Sequence, residues 1–229
     1  MLNDFFEAAK NGNLEIVRKY IKEDIDNIKK LDDEGFNALM LSSIFNRIEI
    51  VEELIINGAD INFKTDENWT ALMLASFYGH CSIAEILLKN NADSSIKNNQ
   101  GFDALLIAVF YKRTDIIKLL LNYKADVNTK NNDGMFPLIY ACNYNNSDIV
   151  KLLLDNGAYI DNKNNNGTTA LMYAALMLKE DIIIELLKNN AKIDELDNNS
   201  DDVYAYLKSN ECDNPDEVNN IKKILKNYK

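Results

Sequence analysis

Gly35, Asn68, Gly101, Gly134 and Gly167 stand 33 residues apart, and Ser200 continues the series. Around each, the chain restates itself: Gly35-Phe36-Asn37-Ala38-Leu39-Met40, Asn68-Trp69-Thr70-Ala71-Leu72-Met73, Gly101-Phe102-Asp103-Ala104-Leu105-Leu106, Gly134-Met135-Phe136-Pro137-Leu138-Ile139, Gly167-Thr168-Thr169-Ala170-Leu171-Met172. The same period returns Ile50-Val51, Ile83-Ala84, Ile116-Ile117, Ile149-Val150 and Ile182-Ile183, and later Ala59-Asp60, Ala92-Asp93, Ala125-Asp126, Ala158-Tyr159 and Ala191-Lys192. A period held through five copies specifies an array of stacked units rather than one compact core.

One unit follows from elementary chemistry. Glycine, or Asn68, takes the left-handed backbone that a hairpin tip needs. Asn37, Thr70, Asp103 or Thr169 then accepts backbone N–H bonds as the N-cap of a first helix. Ser42, Ala75, Ala108, Ala141 and Ala174 are small, so neighbouring helices approach closely. Ile50, Val51, Leu54 and Ile55 make one apolar face of a second helix. Gly58 or Gly157 ends that helix, and the chain returns to the next tip. Neither helix buries its apolar face alone, so stacking must complete the core.

A turn-helix-helix unit of this period, with G-x-T-x-L early and L-L-x-x-G-A-D-x-N late, resembles the ankyrin repeat. The expected fold is therefore an all-α repeat solenoid, with ankyrin-type helix-turn-helix units joined by β-hairpin-like loops. The likeness covers about residues 1–200. The family's T-P-L-H is altered: its Pro survives only as Pro137, and its His is replaced by Met40, Met73, Leu106, Ile139 and Met172. Phe136 sits where a cap residue belongs, and Lys124 replaces a C-cap glycine at a cost of about 1 kcal/mol.

These landmarks predict a single domain over 1–229. It comprises an N-terminal capping unit at 1–31, full repeats at 32–64, 65–97, 98–130, 131–163 and 164–196, and a degenerate capping unit at 197–229. In the first cap, Phe5 to Ala9 and Leu14 to Ile21 form a helix pair. In the last, helices fall near Asp202–Lys208 and Asp216–Lys226, with Pro215 at a helix start and Lys222, Lys223 and Lys226 on a polar outer face.

Composition narrows the function classes. Asp+Glu 36 against Lys+Arg 25 gives a net charge of −11, which opposes binding to nucleic acid or to an anionic membrane surface. The longest apolar run, Ala170 to Leu178, is nine residues, and a spanning helix needs about 20. The first residues carry no basic stretch followed by an apolar one, so no signal peptide is expected. Cys81, Cys142 and Cys212 are an odd, sparse set suited to a reducing compartment. A cytoplasmic protein is expected, with a secreted effector lacking a cleavable signal as the alternative.

Catalytic constellations are missing. His80, the single histidine, falls at an inter-helix turn, where it reads as a buttress of the loop. Cys81 adjoins it in the chain, and Cys142 lies nearly two repeats away, too far for proton transfer. No Cys/His metal spacing, calcium loop or Gly-rich phosphate loop is present, so no enzyme, cofactor or metal is expected. Asp32, Asp33, Glu34, Asp66 and Glu67 read as solvated tips rather than an acid/base pair.

The resemblance implies partner binding through hairpin tips and the exposed face of each first helix. Those positions hold Phe36, Trp69, Phe102 and Met135 after the tips, and Phe45, Phe77, Tyr78, Phe110, Tyr111 and Tyr144 late in the first helices. Large aromatic groups at water-facing positions mark interfaces. For Phe77 and Phe110, sideways packing on the next repeat is the equal alternative. Asp33, Glu34, Asp66 and Glu67 make the N-terminal tips acidic, which steers towards a basic partner with an apolar protrusion. Lys64, Lys97, Lys130 and Lys163 form a column read as structural. The expected function is a monomeric, non-catalytic interaction module, acting as scaffold or regulator. Alternatives are an inhibitor or immunity-type protein masking a basic enzyme or toxin, a host-directed effector, and a self-associating structural array.

Overall fold

The computed structural model describes residues 2–144 and 146–228; Met1, Asn145 and Lys229 of the expected 1–229 span lie outside them. The described residues are helices and turns, with no strand among them. They gather into two compact units, Met1–Ala125 and Asp126–Lys229.

The first unit holds α1 (Leu2–Asn11), α2 (Leu14–Glu23), α3 (Ala38–Ile44), α4 (Ile48–Ile56), α5 (Ala71–Tyr78), α6 (Cys81–Lys89), α7 (Ala104–Phe110) and α8 (Thr114–Asn122). The odd-numbered helices pack as one row, α1 on α3, α3 on α5 and α5 on α7; the even-numbered ones form a second row behind it. The caps are those the sequence names. Asn37, Thr70 and Asp103 side chains accept from the backbone N–H of Met40, Met73 and Leu106 at 2.9, 3.3 and 2.9 Å. Ser42, Ala75 and Ala108 are wholly buried, which lets the first helices close on one another. On the second helices the predicted four-residue face is buried in α6 (Ile83, Ala84, Leu87, Leu88) and in α8 (Ile116, Ile117, Leu120, Leu121), whereas in α4 Ile50, Val51 and Leu54 are buried and Ile55 is half-buried.

A 3₁₀ helix at Ile25–Lys29, with no counterpart in the repeat pattern, follows α2. The Asp24 carboxylate caps it at the Asp26 N–H, and the buried Asn27 amide donates to the Tyr20 carbonyl at 2.9 Å. Those bonds let a polar side chain enter the interior beside Ile28 without an unpaired donor.

The second unit holds α9 (Pro137–Asn143), α10 (Ser147–Asp155), α11 (Ala170–Leu176), α12 (Glu180–Lys188), α13 (Val203–Lys208) and α14 (Pro215–Asn227). Here α9, α11 and α13 form one row and α10, α12 and α14 the other. Thr169 and Asp202 cap their helices through the N–H groups of Met172 and Ala205 at 3.3 and 3.0 Å. Phe136 precedes α9 with no side-chain cap; it is buried instead, and Pro137 opens the helix.

Each tip is a turn rather than a strand pair. At 32–36, Asp32 donates its N–H to the Phe36 carbonyl, Gly35 donates to Asp32, and the Asp32 carboxylate accepts from the N–H of Glu34 and Phe36. Asn98, Asn131, Asn164 and Asp197 repeat the arrangement. The tip residue is left-handed in every copy, with φ of 61° at Asn68 and 66° at Ser200. Glycine is obligatory at Gly134 for a second reason: a Cβ there would come within 2.6 Å of the Asn165 backbone nitrogen.

Candidate functional site

Within the first unit the aromatic side chains that follow the tips and end the first helices make a continuous run of rings. Trp69 meets Phe77 edge-on at a centroid separation of 6.0 Å, and Phe77 meets Tyr111 of the next repeat at 4.3 Å. Tyr111 packs on Phe110 at 5.1 Å, and Phe110 meets Phe102 edge-on at 5.9 Å. Tyr78 joins through Phe77 at 4.9 Å. Ring edges meeting ring faces is the arrangement the aromatic quadrupole prefers. Phe36, Trp69, Phe77, Phe102 and Phe110 are half-buried, while Tyr78 and Tyr111 keep 45% and 40% of their surface exposed. Phe45, also 45% exposed, ends α3. In the second unit Met135 and Tyr144 take the equivalent repeat positions and are both half-buried.

The tips of the first two repeats and α5 border an open cavity of about 500 Å³. Phe36, Trp69, Leu74, Phe77 and Tyr78 line it, and Glu34, Asp66 and Glu67 stand at its edge. Asp33 is exposed on the first tip. Asp32 behaves differently from its acidic neighbours, because its carboxylate accepts the N–H bonds of its own turn.

The groups with reactive chemistry are occupied elsewhere. His80 Nε2 lies 2.9 Å from the Ile44 carbonyl oxygen, which ties the turn before α6 to the repeat behind it. Burial raises the Cys81 thiol pKa, and Asp115 and Glu85 add to the shift. Burial alone drives that of Cys142 far higher. Neither is a thiolate nucleophile near neutral pH. Among the described residues no group of three His, Cys, Asp or Glu side chains is placed to hold a metal, and no helix is long and apolar enough to cross a membrane.

Three sets of residues that hold these surfaces in place carry no chemical motif. Arg47 and Arg113 each reach back one repeat, Arg47 Nε to the Lys10 carbonyl at 2.7 Å and Arg113 to the Phe77 carbonyl. Asparagine side chains bridge successive tips: Asn99 donates to Asp66, Asn165 to Asn132 and Asn198 to Asn165 through their carbonyls. Of the lysine column, Lys130 and Lys163 donate to the backbone carbonyls of Lys163 and Leu196, and Lys163 also pairs with the Glu195 carboxylate at 2.7 Å. The signal was available in the sequence, since Asn99, Asn132, Asn165 and Asn198 share the 33-residue period.

Comparison with known proteins agrees with this geometry. The family model for ankyrin repeats (three copies) matches residues 5–98, 54–131 and 105–197. Among solved structures, the ankyrin repeat domain of Bcl-3, described as a unique member of the IkappaB protein family, superposes with a TM-score of 0.83 at 24% identity, over 88% of this chain and 92% of that one. No curated protein matches the sequence.

Proposed function

The chain belongs to the ankyrin-repeat family, whose repeats are generally protein–protein interaction modules, and from that premise we propose that it binds a partner protein on the aromatic face of its first unit. The observation that carries the reading is the run of rings from Trp69 through Phe77, Tyr111 and Phe110 to Phe102, beside a cavity edged by Glu34, Asp66 and Glu67. Exposed aromatic surface next to carboxylates suits a basic partner with an apolar protrusion. Phe36, Phe45, Tyr78 and Asp33 extend the contact surface, and Met135 and Tyr144 are the corresponding residues of the second unit.

The module works by preorganisation. Its rings are already packed on one another and its tips are already hydrogen-bonded, so little side-chain entropy is lost on association. Binding is favoured over catalysis because His80 is engaged with the backbone and Cys81 and Cys142 are held as thiols. All three cysteines are free, in keeping with a reducing, cytoplasmic setting for a scaffold or regulator.

The test is affinity capture from source-cell lysate with the wild-type chain and with Trp69→Ala/Tyr78→Ala/Tyr111→Ala, both shown to be helical by circular dichroism. Proteins retained by the first bait and lost by the second, and binding again when purified, support the reading. Identical capture by both baits rejects the aromatic face as the binding surface.

A further inference from the structure

The cavity between the first two tips has a composition that discriminates among occupants. Its walls hold four aromatic rings, Phe36, Trp69, Phe77 and Tyr78, and its edge holds three carboxylates, Glu34, Asp66 and Glu67. No lysine or arginine lines it. Among the described residues no cation pairs with any of the three carboxylates.

We propose that this cavity takes an arginine side chain of the partner, presented on an extended segment with an apolar residue beside it. The inference rests on the aromatic face being the binding surface. An anionic group is repelled by the edge, in a chain of net charge −11. A purely apolar side chain gains the rings but nothing from the carboxylates. Lysine offers a compact, strongly hydrated ammonium, which is costly to strip of water against rings. Guanidinium is planar and weakly hydrated, so it stacks on an aromatic face while its N–H fork donates to a carboxylate. A cavity of about 500 Å³ is larger than one such side chain, which leaves room for the apolar neighbour against Leu74 and Phe36.

Trp69 is the single tryptophan of the chain, so its indole N–H is a unique reporter inside the cavity. The ¹⁵N-labelled full chain is titrated at low ionic strength with the blocked tetrapeptide alanyl-arginyl-leucyl-alanine, and with the same peptide carrying citrulline or lysine in place of arginine. The expected result is a saturable shift of the indole signal, with the arginine peptide about tenfold tighter than the neutral citrulline peptide and tighter than the lysine peptide. In the folded variant Glu34→Gln/Asp66→Asn/Glu67→Gln, arginine and citrulline peptides bind alike. Equal binding of citrulline or lysine by the wild type, or no saturable shift with arginine, overturns the proposal. If that happens while a partner is still lost from the aromatic triple variant, the anchor is wrong and the binding face stands.

Discussion

The Arg113 guanidinium donates to the Phe77 carbonyl oxygen through both Nε and Nη2, at 3.2 and 3.1 Å. That oxygen belongs to the last turn of α5, where carbonyls have no partner within the helix and the helix dipole is negative. Its Cδ would also lie 3.2 Å from any Cβ placed on Gly79. Arg113→Met should therefore cost about 1.5–3 kcal/mol in urea unfolding, the range for hydrogen bonds to charged groups. Because Phe77 is a wall of the cavity, the same change should weaken partner capture. A variant of unchanged midpoint would show that the bond is idle.

Lys124 sits at the end of α8 with φ of 65°, where Gly58 and Gly157 stand in other repeats with φ of 88° and 87°. A non-glycine residue in this region costs about 1–2 kcal/mol, and glycine gives back about 0.5–1 kcal/mol in lost backbone freedom. Lys124 is exposed, so no packing is lost on truncation. The difference favours Lys124→Gly by about 0.5–1 kcal/mol, read as a higher urea midpoint at constant slope.

How much was legible in the chain follows the same division between backbone and side-chain demands. Repeat register, the first-helix N-caps and the left-handed tips were readable, because each is a local backbone demand that recurs at the 33-residue period. Asn37, Thr70, Asp103 and Thr169 cap as their chemistry requires. The asparagine bridges left only the 33-residue recurrence of Asn99, Asn132, Asn165 and Asn198. The arginine ties were not readable, because their partners are carbonyl oxygens a whole repeat away and a carbonyl carries no sequence signal. Asp32 was grouped with acidic surface for the same reason: its N–H partners are invisible in composition. The aromatic positions could be named, but not which ring meets which; that Phe77 reaches Tyr111 rather than water follows from helix stacking.

Glu195 and Asp197 make the second unit sensitive to acid. The hydrogen bond from Lys163 lowers the Glu195 pKa, and the Asp201 N–H lowers that of Asp197. A carboxylate whose pKa is lower folded than unfolded stabilises the fold above its unfolded value, and that contribution fades as pH falls through the folded one. Glu195→Gln should therefore lower stability at pH 7 by about 0.5 kcal/mol, an exposed-pair magnitude. The gap from wild type should close below about pH 4. Urea midpoints of both chains across this range check it; a gap that persists in acid would assign the loss to packing.

Phe136 stands where Thr70 and Thr169 cap their helices, so restoring threonine looks like a repair. Two effects oppose each other. A threonine cap adds about 1 kcal/mol by accepting a backbone N–H of the first turn of α9. Phe136, however, is 2% exposed, with the Lys130 ammonium 5.7 Å from its ring centroid. Truncating a buried phenylalanine costs about 3–5 kcal/mol when the site does not collapse. Burial exceeds capping, and Phe136→Thr should destabilise by about 2–4 kcal/mol despite the better cap. Pro137 softens the need for that cap, since its ring fixes φ at the first helical position and it has no N–H to satisfy. Hydrogen exchange separates the two terms: protection of the amides of α9 should rise relative to the rest of the unit if the cap forms, while the global midpoint falls. A midpoint that rises instead would mean the ring contributes less to the core than its burial implies.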